Sequence, residues 1–228
     1  MYSNNTINKA MQLASAEMAR LESIGTENVD VCISDGNVKI RKAMNVSLMP
    51  VMTCGNCKEC KYLCYDIKAC MQYPNTVIPA RVRNTLLARK DPARYFQLIR
   101  NKLRRRRTNK YFRWHVAGDI LDMDYFAEMV KIAREFPEFT FWTYTKMYHI
   151  VNAYCDANGV DTIPANLHIM FSEWRGMPMH NPYGFPEFRV VFKGETRPEG
   201  HYCPGNCDVC KASGRGCIAG ETTYCLEH

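Results

Sequence analysis

The chain has 228 residues, of which 46% are hydrophobic and 12 are cysteine, with a formal net charge of +7. That length and apolar content suit one folded core, or a core with a small appendage, and exclude a disordered chain. No stretch approaches the roughly 20 apolar residues that cross a bilayer, and Met1-Tyr2-Ser3-Asn4-Asn5 lacks the regions of a secretory signal, so a soluble cytoplasmic protein with no membrane partner is expected.

In chain order, Ile7, Ala10, Met11, Ala14, Met18 and Leu21 fall at helical spacing, and Gly25 can stop that helix. Residues 29–34 and 37–41, separated by Asp35-Gly36, predict a β-hairpin, because both turn positions accept positive φ. A short extended run over 44–49 leads into the first cysteines. Residues 79–90 read as a helix with Val82 and Leu86 on one face. Asp91-Pro92 opens another, through Phe96, Ile99 and Leu103. A strand over 110–116 precedes a helix from about Asp124, with Phe126, Met129, Val130 and Ala133 on its buried face. Then come a strand over 139–145, a helix over 148–157, a strand over 167–171 and a last strand over 189–193.

Strands alternating with helices of this length predict parallel strands joined by crossovers. The expected fold class is α/β: a partial (β/α) barrel or an open parallel sheet. An N-terminal helix and hairpin occupy 1–43, the core 44–195, and a cysteine-rich metal-binding wrap 196–225. Residues 226–228 resemble the beginning of a vector-derived histidine tag and are set aside.

Cysteine placement carries the functional signal. Cys54, Cys57, Cys60 and Cys64 have the spacing C-x2-C-x2-C-x3-C of bacterial ferredoxins, with Tyr65 where those carry proline. Two-residue gaps let a loop curl around a metal centre and aim several sulfurs inward, whereas a zinc site usually takes two ligands from such a loop and two from elsewhere. Cys203, Cys207, Cys210 and Cys217 form a second set, kept turning by Pro204-Gly205 and Gly214-Arg215-Gly216 and followed by Cys225. The expected cofactors are one or two 4Fe–4S clusters, with zinc as the alternative metal, above all for the second set. Cys70 reads either as an extra ligand or as a buried thiol, and Cys32 and Cys155 as core residues. Two clusters, each at about −2 with its thiolates, would bring the charge of +7 to about +3, which weakens the basic excess as a sign of nucleic acid.

In parallel α/β folds, ligands bind at the carboxyl ends of strands. Asp119, Lys146, Ser172 and Glu173 end successive predicted strands and are the catalytic candidates, although Asp119, Asp122 and Asp124 would equally serve as helix caps. His115 reads as an interior histidine. Arg104 to Arg107, beside Lys102 and Lys110, form the strongest basic run. A helix C-terminus explains it, and with Tyr111, Phe112 and Trp114 it defines the alternative function, a zinc-stabilised nucleic-acid-binding protein.

Four segments resemble the phage gene product 88 family: Leu48 through the cysteine run to Tyr65, Arg113-Trp114-His115-Val116-Ala117-Gly118-Asp119, Phe141 to Lys146, and Cys203-Pro204 with the cysteines after it. The resemblance implies a bacteriophage or prophage protein acting in the host cytoplasm and brings no assigned activity. A wider likeness is to radical S-adenosylmethionine enzymes, which place a cluster-binding cysteine loop after the first strand of a partial barrel. It implies that Gly118 and Asp119 hold S-adenosylmethionine and that the chain acts on a small-molecule or protein substrate. The spacing departs from theirs: C-x3-C-x2-C occurs only at Cys203, Cys207 and Cys210.

Overall fold

The computed structural model describes residues 1–55 and 57–227. They form two compact units, each assembled from separated stretches of chain. The first comprises Met1–Ser34, Val46–Arg107 and His115–Leu121; the second comprises Asp35–Asn45, Thr108–Trp114 and the chain from Asp122 onward.

The first unit is mainly helical. Helix α1 (Asn4–Ile24) is capped by Ser3, whose hydroxyl accepts from the Thr6 amide at 3.2 Å. It buries Ile7, Ala10, Ala14 and Leu21 and packs on α3. Helix α2 (Tyr65–Gln72) follows the first cysteine set directly, and α3 (Pro74–Lys90) begins with proline in its first turn. Helix α4 (Pro92–Arg105) is capped by Asp91, whose side chain accepts from the Arg94 amide at 3.1 Å, as its sequence predicts. Its last turn carries Lys102, Arg104 and Arg105, where cations complement the helix dipole.

The expected hairpin does not form. Only β1 (Ile33–Ser34) is extended, and residues 38–42 are turn. The Asn37 side chain accepts from the amides of Lys39 and Ile40, at 2.9 and 3.0 Å, and Arg41 turns back onto Asn37 O with φ of 53°. This local side-chain turn takes the amides that a second strand would need. Upstream, other side chains replace the missing strand. Arg94 donates to the carbonyls of Thr26, Glu27 and Val29, and Asn84 bonds both the amide and the carbonyl of Cys32, at 2.8 and 2.9 Å.

The second unit is built on parallel strands: β3 (Tyr111–Trp114), β4 (Thr140–Thr145), β5 (Leu167–Glu173), β6 (Glu187–Val191), β7 (His201–Tyr202) and β8 (Thr223–Leu226). β3 pairs β4, β4 pairs β5, β5 pairs β6, β6 pairs β8 and β8 pairs β7, every pair parallel. Residues Met44 and Asn45 of β2 (Met44–Val46) lie beside β3. Helices α5 (Met123–Glu135) and α6 (Tyr148–Asn158) are the crossovers from β3 to β4 and from β4 to β5. Asp122 caps α5, accepting from the Tyr125 amide at 2.8 Å. The alternation of helix and parallel strand therefore holds. The wrap expected over 196–225 is not found as such: it contains helix α7 (Cys207–Ser213), and its two strands β7 and β8 join the sheet beyond β6, the strand expected to be last. Leu226 ends β8, and the Glu227 amide donates to Val191 O at 3.0 Å. Among the described residues no helix is long and apolar enough to cross a membrane.

Candidate metal centre

All twelve cysteines are free thiols, and the two sets belong one to each unit. The first begins where an extended segment meets the turn after β3. The Leu48 amide donates to Ala117 O at 2.9 Å, the His115 amide to Val46 O at 3.0 Å, and the Ala117 amide to Ser47 Oγ at 3.3 Å. Gly118 makes this approach feasible. Its φ is 81°, and a Cβ there would lie 2.6 Å from Leu48 Cβ and 2.7 Å from Thr53 Oγ1. Thr53, one residue before Cys54, is fixed through its hydroxyl and amide to Met49 O, at 2.7 and 3.2 Å. Val51 at φ 68° and buried His115 at φ 52° hold backbone conformations that side chains disfavour, and they flank this junction.

Beyond it, the Cys57 amide donates to Cys54 O at 2.9 Å, and a 3-10 helix (Glu59–Leu63) delivers Cys60 and then Cys64. Cys57 Sγ stands 3.8 Å from Cys60 Sγ and within hydrogen-bond reach of Cys54. Those two neighbours, with burial, push the Cys57 thiol far above its ordinary range. Burial lifts Cys64 to about 11, with Cys54 and Asp66 contributing, and Cys70 on α2 to about 12, with Asp66 and Cys64 contributing. Four thiols of the predicted set, with fully buried Cys70 nearby, are thus brought together and face the cost of ionising side by side. The exit is pinned by a buried ion pair. Arg81 of α3 grips Asp66 of α2 with Nε–Oδ2 at 3.2 Å and Nη2–Oδ1 at 3.1 Å.

The second set surrounds Cys203, whose charge acts on Cys207, Cys210, Cys217 and Cys225. Cys210 and Cys217 are buried in one cluster with Ala43, Trp142, Met170 and Ile218, and burial lifts Cys210 to about 11. Cys210 Sγ lies 3.7 Å from His201 Nε2, and Gly216 fits between them only without a Cβ, which would come 2.7 Å from that nitrogen. The turn is fastened by Glu221, which accepts from Arg215 Nε at 2.8 Å and from the Gly216 amide at 2.8 Å. Sequence reasoning left Cys225 without a role; burial also lifts it to about 11, ahead of the nearby Cys203 and Cys217. Among the described residues, no three His, Cys, Asp or Glu side chains stand grouped as ligands of a single ion.

Glu221 gives the second set a pH signature. Arg215 and the Gly216 amide hold its carboxyl down at about 2, against an ordinary 4.5. A depressed carboxyl contributes stability at pH above its unfolded value, and that contribution is lost as pH falls from about 4.5 through about 2. Denaturation curves over this window are expected to show a weaker acid dependence for Glu221→Gln than for the parent chain. Matching slopes would count against the Arg215–Glu221 contact.

The strand-end candidates divide between the units. Lys146 Nζ donates to Ser172 Oγ at 2.8 Å and lies 5.7 Å from the Trp174 ring, Tyr148 Oη donates to Ser172 O, and Glu173 pairs with Arg189 at 3.3 Å. Lys146, Ser172 and Glu173 therefore meet at the carboxyl ends of β4 and β5. Asp119 belongs to the first unit, where it is buried and its Oδ1 accepts from the Ile120 amide at 2.8 Å; the cap of α5 is Asp122. Of the aromatics next to the basic run, Phe112 and Trp114 are fully buried and offer no face to a base.

In comparisons with known proteins, the family described as Gene product 88 matches residues 15–199. The match starts earlier than the resembling segments and stops before Cys203, so the second cysteine set lies outside it. No curated protein and no solved structure matches the chain, and no comparison supports the likeness to radical S-adenosylmethionine enzymes.

Proposed function

The chain belongs to the Gene product 88 family of bacteriophage proteins, and we propose that it is a thiolate metalloprotein whose first centre is an iron–sulfur cluster held by Cys54, Cys57, Cys60 and Cys64. The observation that carries this reading is the position of the Cys57 sulfur, between Cys54 and Cys60 and 3.8 Å from the latter. Thiols crowded in this way ionise only with difficulty among themselves, and a cationic metal centre reverses that cost by taking the thiolate as ligand. Four ligands within eleven residues, fixed upstream at Thr53 and downstream at Asp66, suit a cluster with Cys ligation. Such a cluster would supply electron transfer, or redox chemistry on a substrate reached from the strand ends. The protein's own part is to hold the four sulfurs and keep Cys70 and the Asp66–Arg81 pair beside them.

A second reading is a single zinc ion. With zinc–sulfur bonds of about 2.3 Å, the edge of a tetrahedron of thiolates is about 3.8 Å, which is the Cys57–Cys60 separation. Metal analysis of anaerobically purified protein decides between the two. Brown protein with about four irons per centre and a cluster signal in electron paramagnetic resonance supports the first reading. Colourless protein with stoichiometric zinc sinks it and leaves the second. Adding S-adenosylmethionine to the reduced protein extends the test: a changed cluster signal indicates an open iron and a role for Gly118 and Asp119, and an unchanged one indicates a cluster closed by four cysteines.

A further inference from the structure

The second cysteine set supports an inference that rests on different residues, all within the second unit. Strand register places Tyr111 and Arg113 of β3, Trp142 and Tyr144 of β4, Met170 and Ser172 of β5, Phe188 of β6, and Thr223 and Cys225 of β8 on one sheet face. Trp142 and Met170 are fully buried there against Cys210, Cys217 and Ile218. Within this apolar surround, Cys217 receives an unusual concentration of polar help. The Tyr144 hydroxyl donates to its sulfur. Arg113 stacks over the Tyr144 ring at 4.5 Å, and its charge acts on Cys207, Cys217 and Tyr144. The Thr223 hydroxyl lies between Glu221 O, at 2.8 Å, and the Cys217 sulfur, and its one hydrogen can be given to either. An ordinary core thiol is a weak donor in apolar surroundings and needs none of these partners. Two hydroxyls and a guanidinium around one sulfur suit a thiolate.

We infer that Cys217 is the anchored ligand of a second, thiophilic metal centre, completed by Cys203, Cys207 and Cys210, with Tyr144 and Arg113 as positioning residues. Each thiol releases its proton to solvent as its metal–sulfur bond forms, and Arg113 offsets part of the negative charge left on the ligand set. Cys210 and Cys217 form the enclosed side, and exposed Cys203 the side by which the metal enters. Cys225 is the spare fifth thiol. The centre is independent of the first set, so the two can fail separately.

The test titrates metal-free, full-length protein with cobalt(II) under anaerobic conditions and follows the thiolate-to-cobalt absorption. A Cys57→Ser/Cys60→Ser double variant is expected to keep the equivalent of cobalt that Cys217→Ser loses. Tyr144→Phe is expected to keep the stoichiometry and to weaken binding about 10-fold, the usual order for loss of a group that supports a metal ligand. Full cobalt stoichiometry in Cys217→Ser overturns the assignment, as does a disulfide mass among these cysteines with no metal bound. Unchanged affinity in Tyr144→Phe overturns the positioning role. If Cys217→Ser does not fold, the double variant and Tyr144→Phe still decide. Iron or zinc found in the double variant as isolated then distinguishes a cluster from a single ion, whatever the first set proves to hold.

Discussion

Replacing Asp66 with alanine is expected to destabilise the protein by about 3–5 kcal/mol, because it leaves the Arg81 guanidinium without its bidentate partner in a buried place. The Asp66 side chain is 3% exposed and that of Arg81 17%, so water cannot take over the lost contacts. The pair ties α2 to α3 immediately after Cys64, and its loss is expected to loosen the cysteine loop as well. Chemical denaturation monitored by circular dichroism measures the effect. An Asp66→Ala/Arg81→Met double variant is expected to recover most of the loss, since removing both charges removes the desolvation cost. A single-variant cost below about 1 kcal/mol would show the pair to behave as a solvated one.

The second large effect is expected at Gly118. Alanine there meets two penalties: a backbone at φ 81°, which costs a side chain about 1–2 kcal/mol, and a Cβ forced to within 2.6 Å of Leu48 Cβ. Relief of such overpacking costs about 1–3 kcal/mol, so Gly118→Ala is expected to lose about 2–4 kcal/mol in all. The neighbour that must move is the segment ending in Thr53, next to Cys54, so metal content of the purified variant should fall together with its melting temperature. Full metal occupancy at a lowered melting temperature would separate the turn from the metal loop.

Those two sites show which features the sequence exposed. Asp91-Pro92 announced α4 because capping is a local property, and parallel strands followed from helix and strand alternation. The cysteine sets were visible as spacing, and the fold places Cys57 between Cys54 and Cys60 as that spacing requires. The failures involve partners distant in sequence. Nothing local to residues 29–34 shows that Arg94 and Asn84 will satisfy their backbone. Similarly, the Asp66–Arg81 pair, the contact of Gly118 with Leu48 and the Tyr144–Cys217 contact each join residues whose motifs say nothing of one another. The hairpin was misread because Asp35-Gly36 is a strong turn signal, yet Asn37, one residue later, closes a turn of its own. Strands β7 and β8 were missed because two- and four-residue strands among cysteines and glycines carry no usable alternation.

The position of β8 has a consequence for how the protein is made. β7 finds its partner only in β8, and β6 is bordered on one side by β5 and on the other by β8. During synthesis the chain reaches Leu226 last among these strands, so β7 must wait and one edge of β6 stays open until then. Exposed parallel edges of this kind are slow to close and prone to pair wrongly. Thr223 and Cys225 arrive on that same strand, so the surroundings of Cys217 are completed only when the sheet is. Metal loading of the second set and closure of the sheet would then be one late event, and a chain starved of metal at that moment would leave the ribosome with its edge still open.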